Sequence, residues 1–284
     1  MKIVIIGVQG NLGTQLAKTF SDDEVIGLDR KDFDFLDFNL LTNRLEEEAP
    51  DLVINAAAYN AVDKCEEDKE EKKIAKNLNI DLPNFLSVFC LANKITLVHY
   101  STDYVFSGKD KDDSFSENDL QNPINFYGET KAEGEKRILE LERSGLNFYL
   151  IRTSKLFGPA GNSAFSKTSF FDMIWKLAQN GSDLKAVDEE YSCFTYTPDL
   201  AQATAELVKE KSPFGIYHLV NEGVATWFDG ASEVLKIKNL SLNITPVSGD
   251  TFPRPARRPF SSVLRNTKRP KLRSWKEALA DYLK

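Results

Sequence analysis

Tyr127 and Lys131 stand four residues apart in YGETKAEGE, residues 127–135. On a helix that spacing puts both on one face. A free phenol, with a pKa of about 10, is a poor proton donor or acceptor at neutral pH, and a neighbouring ammonium lowers it. A ketone being reduced needs hydride at carbon and a proton at oxygen, and a Tyr/Lys pair supplies the second. A hydroxyl that holds the carbonyl oxygen would complete the set. Ser101 and Thr102 in STDYVFSG (101–108) offer one, with Asp103 and Tyr104 following. The chain has only two histidines, His99 and His218. His99 lies in the apolar run KITLVHYS and reads as a core or strand residue, so proton transfer falls to Tyr, Lys, Ser, Thr, Asp or Glu. Taken alone, a Tyr and a Lys in a Glu-rich run equally describe a solvated helix face.

A second set of residues suits a dinucleotide. GVQGNLG (7–13) has the spacing G-x-x-G-x-x-G between an apolar strand and a helix. Glycines there let the backbone turn tightly and approach a pyrophosphate at the positive end of the helix. Asp29 closes the next strand, where an acid can hold ribose hydroxyls. Arg30 and Lys31 follow at once and suit a 2′-phosphate instead, so NADH and NADPH both remain open.

These residues need a scaffold that gathers them at one edge. Apolar runs alternate with helical spacing. KIVIIG, EVIGLD, DLVINAA, ITLVHYST and NFYLIRTS read as buried strands. NLGTQLAKTF, LLTNRLEEEAP, a long region ending near Asn93, and a segment starting near Tyr127 read as helices. The rhythm predicts an α/β fold: a Rossmann-like doubly wound parallel sheet with helices on both faces. Pro83, inside NLNIDLPNFLSVFCLAN, marks a helix start or a kink. Beyond residue 155 the rhythm weakens. SFFDMIWKLAQNG reads as a helix closed by Gly181. TPDLAQATAELVKE reads as one capped by Thr197 with Pro198 at its first position. GIYHLVN is a strand, FDGASEVLKI and SWKEALADYLK are helical, and DTFPRPARRPF is a Pro/Arg-rich loop. The expected division is a cofactor-binding domain over 1–155 and a small C-terminal α/β substrate lobe over 156–284, part of which returns to the sheet.

Composition bounds the partners. The 284 residues carry a net charge of −7, with a pI near 5.1. An acidic chain of this kind argues against a nucleic-acid surface. Cys65, Cys90 and Cys193 are scattered and odd in number, which fits a reducing cytoplasm and neither a metal site nor a disulfide framework. No apolar run reaches the roughly 18 residues of a membrane span, and no cleavage signature follows MKIVIIGVQG.

Taken together, GVQGNLG, FDFLD, PDLVINAAAYNAVDKCE, STDYVFSG, YGETKAEGE, IRTSKLFG, TYTPDLA, GIYHLVNEG and FPRPARRPFSSVL resemble the extended short-chain dehydrogenase/reductase superfamily, and within it the dTDP-4-dehydrorhamnose reductase family. The likeness covers nearly the whole chain. It implies an NADPH- or NADH-dependent reductase of the 4-keto group of a nucleotide-linked 6-deoxy sugar, in dTDP-L-rhamnose synthesis, with a homodimer as a common assembly. It assigns Thr102, Tyr127 and Lys131 to catalysis, Tyr127 as proton donor and Lys131 as the cation that lowers its pKa and binds the nicotinamide ribose. Gly7, Gly10, Asn11, Leu12 and Gly13 would cradle the pyrophosphate. Asp34 and Phe35 would flank the adenine, and Ala56, Ala57, Ala58 and Tyr59 would line the cleft. Asn79 would shape the same site, while Asp103, Tyr104, Lys155 and Arg258 would face the substrate. Three departures fall on the substrate side: Lys155 where the family has Trp, SCFTY (192–196) where it has G-x-P-T-Y, and a differing segment around Asn162. Two other readings stay open: a cofactor-binding regulatory subunit resembling that of methionine adenosyltransferase, and a nucleotide-sugar epimerase or dehydratase. Tyr104 after Asp103, where a dehydratase has Glu, weakens the last.

Overall fold

The computed structural model describes residues 1–30, 34–163, 168–181 and 183–284. Six strands make the central sheet: β1 (Lys2–Ile6), β2 (Glu24–Leu28), β3 (Leu52–Asn55), β4 (Thr96–Thr102), β5 (Phe148–Thr153) and β6 (Gly215–His218). Their order is β6-β5-β4-β3-β1-β2, and every pairing is parallel. The near-continuous Val/Ile/Leu runs follow from this, because a parallel sheet is covered on both faces.

Side chains alternate along each strand and feed two cores. Ile3, Ile5, Leu52, Ile54, Val98 and Ile151 face α1 (Asn11–Thr19) and the α7 helix described below. Val4, Ile6, Val53, Leu97 and Leu150 face the opposite layer. That layer contains α2 (Phe38–Glu48), α3 (Lys69–Lys76), α4 (Leu82–Asn93) and α5 (Phe126–Glu140). Further helices are α6 (Phe170–Gln179), α7 (Thr197–Lys209), α8 (Trp227–Ile237) and α9 (Trp275–Tyr282), besides a single turn at Lys64–Glu67. A separate aromatic core of Phe157, Phe171, Phe194, Val234, Trp275 and Leu279 holds α6, α8 and α9 together. Short parallel pairs, among them Leu184–Val187 with Ile244–Val247, complete this part of the molecule.

Pro83 has a specific consequence. α3 runs into α4 through a π turn at Asn77–Asp81. Proline has no N–H to give the carbonyl four residues back, that of Asn79. Gly134 of α5 packs on that freed carbonyl, where a Cβ would sit 2.0 Å from the oxygen. The glycine thus sets how closely α5 approaches.

One expected cap differs. Thr197 is the first residue inside α7, Tyr196 occupies the cap position, and no side chain caps the helix. The Thr197 hydroxyl has no hydrogen-bond partner. Gly181 does follow α6 with φ +65°, as a helix-terminating glycine should.

Candidate active site

β1 lies between β2 and β3, so the chain leaves it in opposite directions on its two sides. Open α/β sheets bind ligands outside the carboxyl ends of the strands at such a switch point. The glycine turn sits there. Gly7 has φ +82°, and a Cβ on it would fall 2.9 Å from the Ala57 nitrogen. A Cβ on Gly13 would fall 2.2 Å from the Gly7 carbonyl oxygen. Gly10 is the N-cap of α1, so no side chain covers the start of that helix. A cradle this tight, opening on a helix N-terminus, fits a dinucleotide pyrophosphate.

Asp29 lies just beyond β2, is buried, and accepts a hydrogen bond from the Gln9 N–H at 3.3 Å. The acid therefore braces the glycine turn from the position expected for ribose recognition. Arg30 is exposed beside it, and Lys31 lies outside the described residues. Asp34 is exposed, with its carboxylate accepting from Leu36 N–H. Phe35, expected beside adenine, is packed in the core with Leu28 and Leu41. Ala56, Ala57 and Ala58 are half-buried along the cleft. Asn79 grips Tyr59 by both backbone groups, at 3.0 and 3.1 Å, and donates to Thr130 on α5 at 3.0 Å. Tyr59 donates to Glu71 at 2.8 Å.

The residues expected to carry proton transfer lie around the end of β4. Asn125 caps α5 by accepting from Gly128 N–H at 2.8 Å, so Tyr127 lies in the first turn. A Cβ on Gly128 would fall 2.3 Å from the Tyr104 carbonyl oxygen, so this turn rests directly on the loop after β4. Burial pushes the Tyr127 phenol well above its ordinary value, an effect that the Thr102 hydroxyl opposes only in part. Thr102 Oγ1 in turn donates to Asp103 at 3.1 Å. Tyr104 stands edge-on to Tyr127, with centroids 6.0 Å apart.

These contacts alter the expectations for Lys131 and Asp103, and give His99, a buried strand residue as expected, a neighbour that the sequence did not show. Lys131 is 2% exposed and donates to the Tyr100 carbonyl at 2.7 Å, with His99 Nε2 at 3.4 Å. Its amine points beneath β4, and burial lowers its pKa to about 8. His99, read from sequence as a core residue, is buried but is Lys131's neighbour. Nothing in the pattern of KITLVHYS signals that, because the contact crosses from strand to helix. Asp103, expected at the substrate, accepts from Ser154 at 2.7 Å and Ser262 at 2.6 Å. It ties the ends of β4 and β5 to the C-terminal loop, and burial raises its pKa.

The side expected to face a substrate is rich in arginine and aromatic residues. Lys155, at φ +37°, donates to the Glu190 carbonyl at 3.0 Å and stacks over Trp227, 4.1 Å from the ring centroid. Burial lowers its pKa to about 8. A cavity of about 520 Å³ is lined by Glu190, Phe252, Arg254, Arg257, Arg258 and Phe260. Arg258 is held by Asp63 at 2.7 Å, and Arg254 pairs with Glu190. Asn125 donates to the Arg257 carbonyl at 2.8 Å, so the α5 cap also anchors the arginine loop. Because Arg257 lines the cavity and its carbonyl is held by the cap of α5, the cavity lies next to the helix turn that carries Tyr127. Arg254 and Arg257 were not singled out from sequence, although the Pro/Arg-rich loop that carries them was.

Among the described residues no group of His, Cys, Asp or Glu could hold a metal ion, and no helix is long and apolar enough to cross a membrane.

Residues 1–284 match the family described as RmlD substrate binding domain. A dTDP-4-dehydrorhamnose reductase of Mycolicibacterium smegmatis is 32% identical over 99% of this chain and 84% of its own length. Among solved structures, a dTDP-4-dehydrorhamnose reductase ortholog from Clostridium acetobutylicum superposes with TM-score 0.89, at 34% identity, over 100% of this chain and 98% of that one. The dTDP-4-dehydrorhamnose reductase of Bacillus anthracis, solved in complex with NADP, gives TM-score 0.89 at 28% identity, over 99% and 98% of the two chains.

Proposed function

The chain belongs to the RmlD substrate binding domain family, and on that premise we propose that it reduces the 4-keto group of dTDP-4-dehydro-L-rhamnose to give dTDP-L-rhamnose, using NADPH or NADH. The observation that carries this reading is the packing of the first turn of α5, which holds Tyr127, on the loop after Thr102, where a Cβ on Gly128 would fall 2.3 Å from the Tyr104 carbonyl oxygen.

A bound nicotinamide cofactor supplies the hydride. The residues do the rest. Gly7, Gly10, Asn11, Leu12 and Gly13 hold the pyrophosphate at the α1 N-terminus, where the helix dipole favours its charge. Asp29 and Arg30 face the adenosine ribose, and Lys131 with Tyr127 faces the nicotinamide ribose. Thr102 donates to the ketone oxygen and orients it. Tyr127 gives that oxygen its proton as the alcohol forms. Arg258, with Arg254 and Arg257, takes the sugar nucleotide's diphosphate, since planar guanidinium groups match phosphate oxygens bidentately. Lys155, beside Trp227, faces the sugar. Residues 1–155 act as the cofactor half and 156–284 as the substrate half, with β6 lent back to the sheet. The three cysteines are free and buried, which suits a reducing cytoplasm, and the assembly proposed is a homodimer. The intact Thr102, Tyr127 and Lys131 set favours catalysis over a purely regulatory subunit.

The test is a cofactor-oxidation assay across a panel of keto-sugar nucleotides with both cofactors. Turnover of the dTDP-linked 4-keto-6-deoxy sugar is expected, and Tyr127→Phe should abolish it while leaving cofactor binding intact. No oxidation with either cofactor at high enzyme concentration refutes the reading.

A further inference from the structure

The glycine turn between β1 and α1 is held from two sides. From the sheet, the Leu28 carbonyl accepts Gly7 N–H at 2.8 Å, and the Asp29 carboxylate accepts Gln9 N–H at 3.3 Å. From the other side comes the segment 158–163. It leaves the short strand Leu156–Phe157, which is paired with Thr195–Tyr196 just before α7. Ser163 N–H donates to the Gln9 carbonyl at 2.9 Å, and Gly161 N–H donates to Asn11 Oδ1 at 3.3 Å. Both backbone groups of Gln9 are therefore engaged, the N–H by the residue after β2 and the carbonyl by chain about 150 residues further on. The stretch around Asn162, expected on the substrate side, thus touches the glycine turn.

The fit is close. A Cβ on Gly161 would fall 2.4 Å from the Gln9 carbonyl oxygen, 2.5 Å from the Gly10 carbonyl carbon and 2.7 Å from the Asn11 nitrogen. All three atoms are backbone, so none yields by a change of rotamer. The segment bonds only to acceptors of the turn, Gln9 O and Asn11 Oδ1. A pyrophosphate at a helix N-terminus takes N–H donors instead. The segment therefore braces the turn without competing for the same groups.

We propose that residues 158–163 are a clasp on the glycine turn, and that Gly161 is a positioning residue for the nicotinamide cofactor. Only glycine lets the clasp seat, and the seated clasp holds the turn in the shape that presents its N–H groups to the pyrophosphate. The peptides it covers, from Gln9 to Asn11, lead directly into the first turn of α1. A turn braced on both sides before the ligand arrives has less freedom to lose on binding, so the bound state is favoured. The clasp is chain that follows Lys155, so the half expected to face the sugar is also the half that closes over the cofactor turn. The proposal rests on the nicotinamide cofactor and is indifferent to which sugar is reduced.

The test is the rate at which bound NADPH or NADH leaves the protein, followed by nicotinamide fluorescence after mixing with excess oxidised cofactor. Gly161→Ala must lift the clasp by about 1 Å to restore the usual 3.3–3.6 Å between a carbon and a carbonyl oxygen. That takes Ser163 N–H beyond the roughly 3.2 Å reach of a hydrogen bond to Gln9. Release should become about tenfold faster with little change in association, as for the loss of one or two net hydrogen bonds. Ser163→Pro removes the same donor directly and should speed release likewise. ADP-ribose, which has the pyrophosphate and no nicotinamide, should lose affinity in the same ratio. A merely structural role would lower the unfolding free energy and leave release at the wild-type rate in both variants, which overturns the proposal. Weaker NADPH binding with ADP-ribose unaffected overturns it too, because the effect would then lie at the nicotinamide end. If Gly161→Ala does not fold, Ser163→Pro decides. A wild-type protein that binds neither cofactor overturns the clasp together with the cofactor reading, whereas a failed sugar assay leaves both standing.

Discussion

Replacing Gly128 by alanine tests whether the contact between α5 and the loop after β4 sets the catalytic geometry. In open space the change would help, because alanine is favoured over glycine in a helix by about 0.5–1 kcal/mol. Here the new methyl carbon would lie 2.3 Å from the Tyr104 carbonyl oxygen and 3.1 Å from Pro123 Cβ. A carbon and a carbonyl oxygen sit comfortably at about 3.3–3.6 Å. The first turn of α5 must therefore retreat by about 1 Å. Both contacts are backbone or proline, so neither yields by a change of rotamer. Forcing a methyl into a packed site costs about 1–3 kcal/mol, which reverses the sign of the substitution. The retreat carries Tyr127 away from Thr102, and a 1 Å misplacement is worth about 100-fold in rate. The expected result is a kcat reduced about 100-fold, a lower unfolding free energy in urea, and near-normal cofactor binding, since the glycine cradle is on β1 and α1. Activity within about threefold of wild type, a small fraction of that 100-fold cost, or a gain in stability, would refute the reasoning.

Two further outcomes are expected. Gly13→Ala should destabilise the protein by about 1–3 kcal/mol and weaken nicotinamide cofactor binding in a fluorescence titration, because its methyl would lie 2.2 Å from the Gly7 carbonyl and 2.8 Å from Val8 Cα. His218 is lowered to about 4 from 6.5, by burial first and by the Arg152 charge second. The unfolded chain therefore binds a proton that the native state refuses, so stability falls as pH drops below 6.5 and the loss is complete below 4. At pH 5 the contribution is about 2 kcal/mol. His218→Gln should flatten the drop in unfolding free energy between pH 7 and pH 5 by that amount, and identical slopes would refute it.

The parallel sheet was legible because its information is local. KIVIIG, DLVINAA and NFYLIRTS each hold an uninterrupted apolar run, as strands covered on both faces do, and GVQGNLG sits between a strand and a helix where Gly7 and Gly13 leave no room for a Cβ. The Pro83 region was half legible. Proline announced a disturbance, but the close approach of Gly134 to the Asn79 carbonyl that it frees is a contact between helices. Thr197 was read one place off because a threonine before proline resembles a cap, whereas its hydroxyl here has no partner. Asp103 looked like a substrate contact from its place after Thr102. That it binds Ser154 and Ser262 depends on chain more than fifty residues away.

The sequence alone determined the residue types and their spacings: glycines that turn, a tyrosine and lysine on one helix face, hydroxyls at a strand end, and a shortage of histidine. Those properties follow from backbone freedom, helical period and side-chain chemistry, and each can be read within a few residues. Tertiary structure decided what each group touches. Burial moved Lys131 and Lys155 to about 8. The packing of α5 on β4 put Lys131 against His99 and the Tyr100 carbonyl, and the arginine loop met the α5 cap at Asn125. Protonation state and hydrogen-bond partner depend on neighbours from distant segments and on the water they exclude, and no local pattern encodes either.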